Sequence, residues 1–224
     1  MLTTEFDVQK IDDEILNALR SNLNSNDYKN RVTEKTIGYT TTTETKYLVS
    51  LKMNYVKSVT LDNVLLKFGK DYNIHWRGID KGKIELKVVP LANLNLTIVY
   101  GEVGISGSFI YPDLPRNDVG LNTMPRIGFR TSFSRELVGG NGNKIAVNNT
   151  GLLQIKILAE TTAEVNKLVK AVDDYLFNNF KEFYYVRYID PLSISNYDNF
   201  NDNTDKPFFK IIEYNLPHKY QIGS

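Results

Sequence analysis

The chain has 224 residues, 42% of them hydrophobic, enough for one large domain or two modest ones with a proper core. It contains no cysteine and two histidines, which excludes disulfide frameworks, cysteine nucleophiles and thiolate-held metals, and leaves His75 and His218 far apart without metal-ligand spacing. The 27 basic and 26 acidic residues are spread along the chain for a formal charge of +1, so no field of one sign points to a dedicated nucleic-acid binder.

The first residues lack the basic region and apolar core of a signal peptide, and no apolar run approaches the roughly 20 residues of a membrane span. Synthesis in the cytosol is expected, with no membrane partner. Over residues 10–23, Ile11, Ile15, Leu19 and Leu23 recur every four positions, which predicts an amphipathic helix whose early acids Asp12, Asp13 and Glu14 suit the helix dipole.

A β region follows. Threonine-rich residues 36–45 and then 46–51 favour extended backbone, and the segments 55–61, 64–68, 72–76, 83–89 and 94–100 are separated by turn residues such as Asp62-Asn63 and Gly69-Lys70-Asp71. That spacing predicts a small antiparallel sandwich. Tyr72, Trp76 and Tyr100 read as core or cross-strand residues, with a stacking platform for sugars or bases as the competing reading. The order Phe68-Gly-Lys-Asp-Tyr72, Gly82-Lys83, Pro90 and Val99-Tyr-Gly101 resembles a β module that recurs in bacteriophage structural proteins, over residues 59–101.

Residues 111–126 change the character of the chain. Pro112, Pro115 and Pro125 each fix φ and remove a donor, while the centre from Arg116 to Asn122 has turn chemistry. One reading is a rigid crossover between two strands of one sheet. The other is an ordered contact arm, in which Tyr111, Pro112, Asp113, Leu114, Pro115, Arg116, Pro125 and Arg126 meet a neighbouring subunit, the arginines pairing with its carboxylates.

Beyond the arm, residues 126–137 and 144–147 flank Gly139, Gly140, Asn141, Gly142 and Asn143, which predicts a long hairpin whose flexible tip, with Lys144, is a second contact element. A phosphate loop is excluded there, because Lys144 precedes Ile145-Ala146-Val147 rather than Ser or Thr and a helix. Residues 151–159 alternate as a separate strand with one apolar face. Thr161 and Glu164 fit a capping box, opening a helix to about Phe180 that buries Val165, Leu168, Val169, Val172, Leu176 and Phe180. A tyrosine-rich strand over 183–189, a polar loop over 192–206, a strand over 208–214 and a tail complete the reading.

Catalytic chemistry finds little support. Pro112-Asp113 with Gln154-Ile155-Lys156 parallels a metal-dependent nuclease pattern, but Gln154 puts a neutral amide where the second carboxylate should be. No enzymatic activity, metal or cofactor is expected. What accumulates is the order strand, Tyr111-Pro112-Asp113-Leu114-Pro115-Arg116, Pro125-Arg126-Ile127, hairpin, strand, capped helix, strand, Asn/Asp loop and strand, which resembles the tail terminator and head-tail neck proteins of tailed bacteriophages over residues 108–216 and the first helix.

The resemblance implies an α+β fold, an antiparallel or mixed sheet packed on helices, formed by residues 1–36 and 106–224, with residues 37–105 as an inserted β-sandwich-like domain. It implies a structural virion protein whose copies close a hexameric ring on the tail tube and join it to the neck and capsid. The partners would be further copies of the chain, the tail tube protein, a neck or head-completion protein and the tail sheath, with DNA passing through the bore and no sequence-specific nucleic-acid contact. A neck or tail-completion protein of another ring, and a carbohydrate or host-surface binding module, are the competing readings.

Overall fold

The computed structural model describes residues 7–23, 32–104, 109–114, 124–141, 144–186, 188–197 and 207–222. The fold is α+β, dominated by antiparallel sheets with two helices, and the chain divides into two compact units, residues 13–108 and residues 1–12 with 109–224. The division falls at 12/13 and 108/109, whereas the sequence suggested 36/37 and 105/106.

Helix α1 (Val8–Leu23) is capped by Asp7, whose carboxylate accepts from the Gln9 N–H at 2.9 Å. The acids at 12–14 therefore lie beyond its first turn. From Asp13 onward the helix belongs to the first unit, together with β1 (Val32–Thr40), β2 (Lys46–Leu48), β3 (Met53–Leu61), β4 (Val64–Leu66), β5 (Tyr72–His75), β6 (Lys83–Leu86) and β7 (Asn95–Val103). Strand β1 starts earlier than the threonine run suggested, because Val32 to Thr40 all pair with β7.

Two sheets, β1-β7-β3-β4 and β2-β6-β5, contribute to one apolar core: Val56, Val59, Leu96 and Ile98 from the larger, Tyr47, Ile74, Ile84 and Leu86 from the smaller. The β3–β4 hairpin turns on Asp62 and Asn63 at φ of 48° and 67°, the left-handed conformation that a two-residue connection needs. Asn17 of α1 clasps the backbone of Val56, donating to its carbonyl at 3.0 Å and accepting from its N–H at 2.8 Å, beside the irregularity in the β3–β7 ladder between Val56 and Ser58.

The second unit is a five-stranded sheet in the order β11-β12-β10-β9-β8, built from β8 (Ile110–Tyr111), β9 (Arg126–Asn141), β10 (Lys144–Ala159), β11 (Asp190–Tyr197) and β12 (Phe208–Ile222). Every pairing is antiparallel except β8 with β9. Helix α2 (Thr162–Asn179) starts as expected, with the Thr161 hydroxyl accepting from the Glu164 N–H at 3.2 Å. Its buried stripe of Val165, Leu168, Val169, Val172 and Leu176 matches a sheet face of Phe129, Leu153, Ile155, Ile157, Ile212 and Tyr214, all of them buried. Phe180, expected in that stripe, is instead the C-cap and opens a single 3-10 turn.

Three expectations are corrected here. Strand β10 runs unbroken through Asn148 to Gly151, so the hairpin and the strand expected at 151–159 are one element. Residues 183–186 and 188–189 form no ladder, and the strand lies at Asp190–Tyr197, where a polar loop was expected. Strand β12 continues to Ile222 in place of a tail.

Candidate assembly surface

Successive side chains of a strand point to opposite faces, so the sheet of the second unit carries a second face, turned away from α2. Arg130 of β9, Gln154 of β10, Glu213 of β12 and Ser193 of β11 stand opposite one another in register on that face. The Arg130 guanidinium donates to the Gln154 amide oxygen at 2.9 Å, the Gln154 amide nitrogen donates to Glu213 at 2.7 Å, and the Ser193 hydroxyl donates to the other Glu213 oxygen at 2.9 Å. The row thus crosses four strands. The amide in the middle suits the position, since it accepts on one side and donates on the other and so joins a guanidinium to a carboxylate.

Beside the row, the Lys156 ammonium lies 4.9 Å from the centroid of the Phe209 ring, and burial pulls its pKa below the ordinary lysine value. Ser132 and Ser134 of β9 extend the same face and are exposed. The polar row is spread over four strands rather than gathered in a cleft. It suits contact with another macromolecular surface better than enclosure of a small molecule.

The expected contact arm divides. Ile110 and Tyr111 pair in parallel with Ile127 and Gly128, so residues 112–125 connect two adjacent parallel strands of one sheet, as the crossover reading holds. Tyr111 and Arg126 come together on the open face, with the guanidinium carbon 5.4 Å from the ring centroid. The Arg126 Nε is buried and has no hydrogen-bond partner among the described residues. Pro125 is buried, Pro112 and Asp113 are exposed, and Leu114 is half-buried with its N–H donating to the Asp113 carboxylate at 2.8 Å. Pro115 and Arg116 lie outside the described residues.

The expected flexible tip is shorter than the sequence suggested. Gly139, Gly140 and Asn141 belong to β9, and Lys144 belongs to β10, where it pairs with Asn141. Gly142 and Asn143 lie outside the described residues. Tyr72 and Tyr100 are buried in the core of the first unit, which withdraws them from a stacking platform, and the Trp76 ring lies under the Arg20 guanidinium at 5.8 Å.

Sequence reasoning missed Arg130, Glu213 and Ser193. Their alternation was visible, but the cross-strand register that aligns them was not. Among the described residues no group of three or more His, Asp or Glu side chains is placed to hold a metal ion, and no helix is long and apolar enough to cross a membrane. Comparison with protein-family models, with curated proteins and with solved structures gives no match.

Proposed function

We propose that the protein is a structural subunit of a tailed-phage virion, a tail terminator whose copies form a ring on the tail tube and join it to the neck. The carrying observation is the open face of the β11-β12-β10-β9-β8 sheet, where hydrogen-bonded polar side chains span four strands while α2 closes the other face. A sheet closed on one side and polar on the other is the form expected of a subunit whose role is packing against copies and partners. Of the element order on which the family resemblance rests, the strand before the proline arm, the long hairpin, the capped helix and the last strand are present, while the strand expected at 184–189 is replaced by one at Asp190–Tyr197.

In this reading the two sheets around one core in residues 13–108 are an inserted sandwich-like domain, and the tube, neck and sheath proteins are the partners. The test is immunogold labelling of virions purified from the lysate of cells in which the protein is made. Label in a collar between tail tube and capsid is the expected result; label on fibres, or virions free of the protein, overturns the proposal.

A further inference from the structure

We infer that the β5–β6 hairpin of the first unit docks on an anionic lipid surface, Ile79 entering the apolar layer while Arg77 and Lys81 meet the headgroups. The inference stands apart from the ring reading.

The tip of this hairpin is a β-turn in which the Lys81 N–H donates to the Gly78 carbonyl at 3.2 Å, so Ile79 takes the first central position. Turn tips ordinarily carry glycine, proline, asparagine, aspartate or serine. An isoleucine that is 98% exposed there makes no packing contact that the fold needs. The turn is also firmly held. Gly78 and Gly82 adopt φ of 75° and 81°, the Gly82 N–H donates to the His75 carbonyl at 2.8 Å, and the Gly82 carbonyl accepts from the Val49 and Ser50 N–H groups at 2.8 and 3.2 Å. A side chain at Gly82 would overlap the Ser50 carbonyl, so this close approach requires glycine. The same bonds bring Leu48 and Leu51, 50% and 66% exposed, to this end of the unit.

Charge accompanies the apolar tip. The acid of the turn is already engaged, since Lys46 and Lys83 both donate to the Asp80 carboxylate. Lys52, Arg77 and Lys81 are exposed, and neither Arg77 nor Lys81 has an ion-pair partner among the described residues. This end is therefore cationic in a chain whose formal charge is +1.

An anionic lipid surface takes both parts of the end at once: aliphatic side chains leave water for the acyl boundary while the cations stay at headgroup depth. The phosphates of a nucleic acid would pair with the cations and leave Ile79 in water. A protein partner is favoured less, because the exposed apolar residues here are Leu48, Leu51 and Ile79, without the aromatic anchors that dominate protein contacts. No spanning helix is required, since such a loop lies in the interface rather than crossing it.

The test mixes the whole chain with vesicles of phosphatidylcholine alone, or of equal parts phosphatidylcholine and phosphatidylglycerol, and measures co-sedimentation. Binding to the mixed vesicles and not to phosphatidylcholine is expected. Ile79→Ser should lower the partition coefficient about tenfold, as should Arg77→Glu with Lys81→Glu, whereas Ile79→Leu should keep it. Because Ile79 is exposed, none of its variants should move the thermal midpoint. Failure of the wild-type chain to bind mixed vesicles overturns the inference and leaves this end to an acidic protein surface. Binding that Ile79→Ser leaves unchanged is charge adsorption alone and overturns it as well. Neither result bears on the ring reading, which the labelling of virions decides.

Discussion

The Tyr214 hydroxyl donates to the Asp173 carboxylate at 2.8 Å, joining β12 to α2 at a tyrosine with no exposed surface. Burial, with this carboxylate second, raises the Tyr214 pKa far above the usual phenol range, and burial does the same to Tyr72 in the other unit. The consequence is alkaline lability. Above about pH 10 the unfolded chain loses these protons while the folded chain keeps them; the unfolded state then binds fewer protons, and stability falls as pH rises. Each such tyrosine removes about 1.4 kcal/mol per pH unit in that range. Absorbance at 295 nm should show exposed tyrosines ionising near pH 10 and the buried ones only together with unfolding; smooth titration of all of them in folded protein would refute this.

Asp80 has the opposite sign. Lys46 and Lys83 donate to its carboxylate at 2.6 and 2.8 Å, and these bonds hold its pKa at about 2 in the folded chain. The stabilisation is present above the ordinary aspartate value near 4 and is lost as pH falls through about 2. An NMR titration of the Asp80 carboxyl carbon should place its midpoint near 2 at low salt. Lys46→Ala or molar salt should move it up toward the ordinary value.

Much of this architecture was written locally. The Thr161 cap and the apolar spacing of α2 depend on residues within one helix, and the strands of residues 53–103 depend on alternation between turns, so both were legible. The misreadings arose where distant packing decides. Phe183, Tyr185, Val186 and Ile189 have strand-like composition because they are buried, not because they pair. Pro191 lies between the strand and the loop expected there, yet it sits on the sheet's edge strand, where its missing N–H costs no ladder bond. The row from Arg130 to Ser193 required a register that no single segment contains.

Gly151 illustrates the same point and gives a third prediction. Alternation puts it at the start of a strand with no reason for a glycine, but a methyl group there would overlap the Phe133 ring and approach the Leu216 carbonyl. The glycine is a packing requirement within β10. Gly151→Ala should cost about 1–3 kcal/mol through overpacking, read as a lower thermal midpoint, and Gly151→Ala with Phe133→Leu should recover part of that loss. An unchanged midpoint in the single variant would show that the ring moves aside freely.

Arg126 and Tyr111 separate internal cohesion from assembly. The guanidinium lies over the ring at 5.4 Å and its Nε is buried, so the arginine holds β8 against the start of β9 within one molecule. A double-mutant cycle with Arg126→Ala and Tyr111→Leu should return a coupling of about 0.5–1 kcal/mol in monomer unfolding, the range of a partly exposed cation–π contact. Arg126→Lys should keep the charge but lose part of the coupling, because an ammonium does not stack as a planar guanidinium does. Zero coupling in the monomer, with oligomer formation lost in Arg126→Ala, would assign the residue to a neighbouring subunit instead.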